Sequence, residues 1–271
     1  MPISPDLPAY LSRIGLHTAP AAPTRDALQT LVLHHVQAIP FENLNPYAGL
    51  PVSLALDDVQ RKLVRDQRGG YCYEHNQLFG TVLRTLGYRV DDLSARVLWN
   101  QPDDAITPRS HMLLAVHLDD GPYVVDVGFG GQTPTGILRL QADVAQDTPH
   151  GPYRLQQDAD SWRLQSRVQA DWRTLYRFDL QPAYPVDYDV SNYYLSTHPA
   201  SHFVTALVAA RPTPQGRLAL LNRDYTVHHL DGPSVKRRLA STAEIRAVLQ
   251  DEFGLALPDT PALGRKLDAL P

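Results

Sequence analysis

The stretch Arg68-Gly69-Gly70-Tyr71-Cys72-Tyr73-Glu74-His75-Asn76 runs from two adjacent glycines directly into the clearest helix of the chain. Between residues 72 and 86, Leu78, Phe79, Val82, Leu83 and Leu86 recur on one helical face, and Gly87 stands where a C′ glycine belongs. Cys72 therefore opens a helix. The free N–H groups and the aligned peptide dipoles at that end favour a negative charge. The glycines in front of it permit backbone shapes closed to other residues, and the close approach of another segment. A thiol in that setting needs a base or an imidazolium partner to act as a nucleophile near neutral pH. The competing reading is a small buried hydrophobe, the usual fate of a free cysteine.

Working outward, residues 24–39 read as a helix with Thr24 as N-cap and Pro40 as stop. Residues 57–65 read as a weaker one, so the first 87 residues are mostly helical. The pattern then changes. Segments 94–99, 110–118, 122–129, 153–157, 161–168 and 173–178 are short and β-rich with turn residues between them, which predicts a barrel or sandwich rather than βαβ units. Residues 181–200 carry prolines and tyrosines and read as a connecting stretch. Strands are expected at 203–210, 217–222 and 224–230, and a last helix at 242–252 capped by Ser241 or Thr242. The fold class expected is α+β, with three small units around one site.

Within the β region, His111 opens the apolar strand HMLLAV and Asp126 interrupts YVVDVGF. Leu118-Asp119-Asp120-Gly121 between them is a hairpin-turn sequence. A loop closed by His117 and Pro122, or a two-residue Asp119-Asp120 loop, sets Asp126 opposite Leu113 and on the same face as His111. That diagonal spans ~7–8 Å between backbones, which a carboxylate and an imidazole can bridge. A three-residue loop would put them on opposite faces, and an Asp120-Gly121 turn would separate them further. If the pair forms, Asp126 orients His111 and His111 activates Cys72, the nucleophile–base–orienter logic of catalytic triads.

Composition narrows the alternatives. The chain has 271 residues, 43% hydrophobic and 20% charged, an ordinary globular balance. With Lys+Arg 25 against Asp+Glu 29, it lacks the overall basic footprint of a nucleic-acid binder. A single cysteine excludes an internal disulfide, a four-thiolate zinc site and a thiolate-held iron–sulfur cluster. His228 and His229 have no carboxylate or thiol at metal spacing, so no metal is assigned. No apolar run approaches the ~20 residues of a transmembrane helix, and MPISPDLPAYLSRIGL is no signal peptide. A lone thiol without an export signal predicts a cytoplasmic protein.

Four stretches resemble the arylamine N-acetyltransferase family: Ile39-Pro40-Phe41-Glu42-Asn43-Leu44, Arg68-Gly69-Gly70-Tyr71-Cys72-Tyr73-Glu74-His75-Asn76, Ser110-His111-Met112-Leu113-Leu114 and Val125-Asp126-Val127-Gly128-Phe129-Gly130-Gly131. They occur in the family's order and spacing over roughly residues 39–135. Ser191-Asn192 and Phe203 are the best anchors in the C-terminal third. The resemblance implies a helical bundle over 1–87, a β-barrel over 88–190 and an α/β lid over 191–271, with a cysteine-protease or transglutaminase-like core. It implies ping-pong transfer from acetyl-CoA, a co-substrate rather than a tightly bound cofactor, to an arylamine, arylhydrazine or N-hydroxyarylamine, and so a part in xenobiotic metabolism. The family's triad maps onto Cys72, His111 and Asp126.

Phe41, Tyr73, Phe129 and Phe203 are the expected walls of an arylamine pocket, since aromatic walls suit a flat ligand. Gly130, Gly131 and Thr133, from a glycine-rich loop with exposed amides, and Ser110, just before His111, are the expected CoA contacts; Thr107 is a further candidate. Glu42 and Arg68 are expected to pair and brace the catalytic loop. Lys236, Arg237 and Arg238 form a basic cluster read as a solvated face, with CoA phosphates as the alternative. The competing enzyme class is a transglutaminase-like, amide-forming or hydrolytic cysteine enzyme with the same triad order. A binding module that retains the fold without catalysis is the third reading.

Overall fold

A computed structural model describes residues 4–271. The chain begins with helices α1 (Leu7–Arg13) and α2 (Arg25–Ala38), a short strand β1 (Phe41–Glu42), and helices α3 (Leu44–Ala48), α4 (Leu56–Gln60) and α5 (Cys72–Thr85). Thr24 caps α2, its hydroxyl accepting the Ala27 N–H at 3.2 Å. Leu28, Leu31, Val32, His35 and Val36 form the buried face of that helix. A wider π-type turn, Arg61–Arg65, continues α4. Gly87, just past α5, has a φ of 90°, the left-handed conformation that ends a helix.

Strands β2 (Arg89–Val97), β3 (Arg109–Leu118), β4 (Gly121–Val125), β5 (Leu138–Arg139), β6 (Ala145–Thr148), β7 (Gly151–Asp158), β8 (Ser161–Val168) and β9 (Asp171–Pro182) follow. They form one 8-stranded antiparallel sheet in the order β5-β4-β3-β2-β9-β8-β7-β6, curled into a nearly closed barrel. The end strands meet through a side chain. The Gln146 amide accepts the Arg139 N–H at 2.7 Å and donates to the Arg139 carbonyl at 2.9 Å, standing in for a ladder pair.

The last third contains α6 (Pro185–Thr197), α7 (His202–Thr205), β10 (Val208–Thr213), β11 (Gly216–Leu221), β12 (Asp224–His229), β13 (Val235–Arg238), α8 (Thr242–Ala247) and α9 (Pro261–Asp268). Its strands build a second antiparallel sheet, β1-β10-β11-β12-β13. β1 comes from the helical N-terminal part, Phe41 pairing with Ala210 and Glu42 with Ala209. The architecture is α+β.

Strand parity divides the core. Met112, Leu114 and Val116 of β3 pack outward with Leu78, Phe79 and Val82 of α5. Leu113 and Ala115 point into the barrel with Val124, Leu155 and Leu164. A third cluster joins Leu218 and Leu220 of β11 to Ile245 and Leu263 of α8 and α9. Both faces of β3 are therefore buried, as its unbroken apolar run predicts.

The structure corrects two local readings. Residues 181–200 contain the helix α6, whose buried positions Tyr188, Asn192 and Ser196 recur at helical spacing. Two of these are polar, while Val186, Val190 and Tyr193 are exposed, so hydrophobic periodicity pointed the wrong way. Residues 202–205 form α7, and the strand expected from 203 begins at Val208. The Lys236-Arg237-Arg238 cluster lies on the exposed strand β13, where charge guards a sheet edge.

Candidate active site

Cys72 is the first residue of α5 and is buried. Glu74, in the first turn, turns its carboxylate back to accept the Tyr71 N–H at 3.1 Å. Gly69 and Gly70 are needed here for close approach. A Cβ on Gly69 would lie 2.1 Å from the Pro40 carbonyl oxygen and 2.8 Å from Glu42 Cγ. The reason is that Phe41-Glu42 is held between β10 and the Gly70 backbone, with the Glu42 N–H donating to Gly70 O at 2.8 Å.

Charge braces this junction. Arg68 donates through Nη2 to Glu42 Oε1 at 2.8 Å, bringing the two expected partners together. Lys62, not anticipated, donates to Glu74 at 2.7 Å and lies 3.9 Å from Glu42. Burial raises the Glu42 pKa, but the charges of Lys62 and Arg68 outweigh it and hold the carboxyl below its usual range.

The β3–β4 hairpin closes through Asp119-Asp120, with Leu118 opposite Gly121 and Leu114 opposite Val125. This register is one of those that set His111 and Asp126 on a common face. The His111 Nε2 to Asp126 Oδ2 distance is 2.7 Å and both side chains are sealed from solvent. Burial alone would lower the His111 pKa; the Asp126 charge and hydrogen bond, with a hydrogen bond to Cys72, push it up to about 10. Asp126 shifts the other way: burial raises it, and His111 with the Gly128 N–H and Asn76 amide brings it down. The Cys72 thiol also donates to the Ser110 carbonyl at 3.8 Å. The constellation provides a sulfur, a protonatable imidazole beside it, and a carboxylate fixing the imidazole.

Two residues that sequence reasoning missed complete this geometry. Asn76, one turn past Cys72, donates to Met112 O at 2.7 Å and Asp126 Oδ1 at 3.1 Å, and accepts the Val127 N–H at 3.1 Å. Its spacing from Cys72 on the same helix was the available signal. Tyr176 of β9 packs its ring 4.9 Å from His111, and nothing local in the sequence pointed to it.

The expected aromatic walls divide. Phe129 stands edge-on to His111 at 5.3 Å. Phe41 and Phe203 lie 6.0 Å apart. Tyr73 is fully buried between Tyr71, at 5.7 Å, and Tyr188, at 5.5 Å. Gly130 approaches the Phe41 ring, and Gly131 is exposed. Thr133 is buried and closes a turn onto Gly130 O at 3.0 Å. The Thr107 hydroxyl is committed to Val97 O at 2.9 Å. Among the described residues no cluster of three or more His, Cys, Asp or Glu is arranged to hold a metal ion.

A family model described as N-acetyltransferase matches residues 24–262. An arylamine N-acetyltransferase of Mycobacterium tuberculosis is 46% identical over 98% of this chain and 95% of its own length. A Salmonella typhimurium arylamine N-acetyltransferase / N-hydroxyarylamine O-acetyltransferase is 41% identical over 93% of this chain and 90% of its own. The solved structure of Mycobacterium marinum arylamine N-acetyltransferase in complex with CoA superposes with a TM-score of 0.92 at 42% identity, covering 98% of this chain and 99% of that one. The matches extend well beyond residues 39–135, through the C-terminal sheet, and this chain belongs to the arylamine N-acetyltransferase family of acyltransferase enzymes.

Proposed function

We propose that Cys72, His111 and Asp126 carry an acetyl group from acetyl-CoA to an arylamine, arylhydrazine or N-hydroxyarylamine. The observation that supports this most is the buried 2.7 Å His111–Asp126 contact beside the cysteine that opens α5. With Nε2 held by Asp126, Nδ1 is the nitrogen left to serve the sulfur. The Cys72 thiol proton passes to His111, and the sulfur attacks the thioester carbon. Charge develops on the carbonyl oxygen, and the first-turn N–H groups of α5, which have no intrahelical acceptor, are suited to receive it. The C–S bond to CoA breaks and the leaving thiolate takes its proton from His111. In the second half the amine nitrogen attacks acetyl-Cys72. His111 takes the proton the nitrogen sheds, and the sulfur departs as the amide forms.

Phe41, Phe129 and Phe203 would wall the acceptor, with Tyr73 behind Tyr71. Ser110, Gly130, Gly131 and Thr133 would meet the CoA arm. Acetyl-CoA enters as a co-substrate and leaves as CoA. We read residues 1–87, 88–190 and 191–271 as helical, barrel and lid units around a cysteine-protease-like core. We assign the enzyme to the cytoplasm and to the metabolism of foreign amines. No helix among the described residues is long and apolar enough to cross a membrane. Family membership does not favour the transglutaminase-like alternative.

Mass spectrometry after mixing with acetyl-CoA tests the reading. The expected result is the gain of one acetyl group, absent in Cys72→Ser, and its loss with acetylated product when an arylamine is added. No acyl-enzyme, and no CoA released in the presence of amine, would sink it.

A further inference from the structure

Arg217 lies on β11, is 6% exposed, and forms no ion pair with any described carboxylate. A buried cation without a counter-charge is costly, so its hydrogen bonds indicate why it is there. Nη1 donates to Thr133 O at 2.9 Å and reaches Gly131 O at 3.4 Å. Nη2 donates to the Tyr153 hydroxyl at 2.8 Å, and that hydroxyl points its own proton at Gln132 O, 3.1 Å away, and Thr133 O, 3.3 Å away. One planar fork thus engages three successive carbonyls of the turn that follows Asp126, directly or through Tyr153.

This contact joins three parts of the molecule. Arg217 belongs to the second sheet and Tyr153, fully buried, to the barrel. The turn between them leads back through Gly130 and Phe129 to the His111–Asp126 pair. His150 makes a parallel link: its Nε2 lies 2.7 Å from Thr213 O and its Nδ1 3.0 Å from Thr135 Oγ1. The upstream half of the turn does not depend on Arg217, because Asn76 and Asp126 hold Val127 and Gly128. The Arg217 fork therefore controls residues 130–133 and leaves the triad to its own supports.

We propose that Arg217 is a positioning residue for the acyl donor: it holds the 130–133 turn in the shape that receives the CoA arm. This rests on the acetyl-CoA reading above. A guanidinium suits the task because it presents several donors in one rigid plane, whereas a lysine offers a point charge that cannot span the same carbonyls.

The test compares two acyl donors. Acetyl-CoA carries the full arm, and p-nitrophenyl acetate carries the acetyl group without it. Kinetics are measured on wild type, Arg217→Met, Arg217→Lys and Tyr153→Phe, with amide hydrogen exchange of residues 130–135 alongside. Losing charged hydrogen bonds should raise the acetyl-CoA KM of Arg217→Met by about tenfold, while kcat/KM for the small ester stays within about twofold. Arg217→Lys should fall between wild type and Arg217→Met, and exchange in the turn should quicken. Tyr153→Phe, which keeps the ring, should raise the acetyl-CoA KM by about threefold and reports on the fork even if Arg217→Met does not fold. Equal losses with both donors, or an unchanged acetyl-CoA KM, would overturn this proposal alone. A wild type that accepts the ester but not acetyl-CoA would overturn the acetyl-CoA reading and this proposal with it.

Discussion

Asn76 Nδ2 lies 3.1 Å from Asp126 Oδ1, so the helix that begins at Cys72 is tied to the carboxylate that fixes His111. The same amide nitrogen reaches Met112 O, and the amide oxygen holds the Val127 N–H. One side chain therefore couples helix α5, strand β3 and the segment after β4. Asn76→Ala removes all three bonds and leaves buried backbone groups unpaired. Stability should fall by about 1–3 kcal/mol, read from denaturant midpoints. Acylation of Cys72 should slow by about tenfold or more as His111 loses its register, measured in a single turnover. A variant with unchanged acylation would show that Asp126 needs no help from the helix.

Gly128 and Gly131 make a paired prediction from one turn. A Cβ on Gly128 would stand 2.8 Å from Cys72 Cα and 3.1 Å from its carbonyl oxygen, backbone atoms that no rotamer change can move. Gly128→Ala should cost about 1–3 kcal/mol and displace Cys72. At Gly131 nothing lies within 4 Å, and Gly131→Ala should change stability by less than about 0.5 kcal/mol. Thermal unfolding of the two variants in parallel checks the contrast, and equal effects would contradict the geometry.

Three buried histidines contribute to the dependence of stability on pH. His75 Nε2 donates to Pro40 O at 3.1 Å, so its Nδ1 accepts from His35 Nε2 at 2.9 Å, and His35 Nδ1 accepts from the Tyr10 hydroxyl at 2.9 Å. Both imidazoles are neutral in this chain. Burial lowers His75 from 6.5 to about 4; burial lowers His35 well below 6.5, with the nearby Arg13 charge, and any proton taken up by His75, acting in the same direction. Below pH 6.5 the unfolded chain binds protons that the folded chain refuses, so stability falls as pH drops toward 4. Each such histidine contributes a slope of about 1.4 kcal/mol per pH unit.

His111 acts in the opposite sense. Its folded value is pushed up to about 10, against 6.5 for the unfolded group. The stability it contributes is complete below pH 6.5 and is lost as pH rises toward 10, because the unfolded chain sheds a proton that the folded chain keeps. From these three groups stability should peak near pH 6.5. Asp126→Asn should flatten the alkaline limb and His75→Gln the acid limb, both read from urea midpoints across pH. An alkaline limb that survives intact in Asp126→Asn would show that the Asp126 charge does not hold the His111 proton. The same variant should lose about 10²–10⁴-fold in acyl transfer, as when other triads lose their orienting carboxylate charge.

The helix beginning at Cys72 and the shared face of His111 and Asp126 were legible without coordinates. Both depend on near neighbours: helical period and a capping signal in one case, hairpin parity in the other. Parity left several turns open, and only the observed Leu118–Gly121 register selected among them. The α6 helix escaped because its buried positions include the polar Asn192 and Ser196: Ser196 bonds back to the Asn192 carbonyl one turn earlier, and the partners of Asn192 lie far along the chain. Asn192 donates to Val52 O at 2.9 Å.

Sequence alone thus determined the local placement of Cys72 at a helix start and of His111 and Asp126 on one face of a hairpin. Tertiary structure decided what holds them together: Phe41-Glu42 as a strand beside β10, Asn76 on Asp126, and Arg217 on the turn at 131–133. Those contacts join residues tens to well over a hundred positions apart. No local periodicity or propensity encodes such a pairing; it appears only when separately formed elements pack and their buried polar groups must find partners.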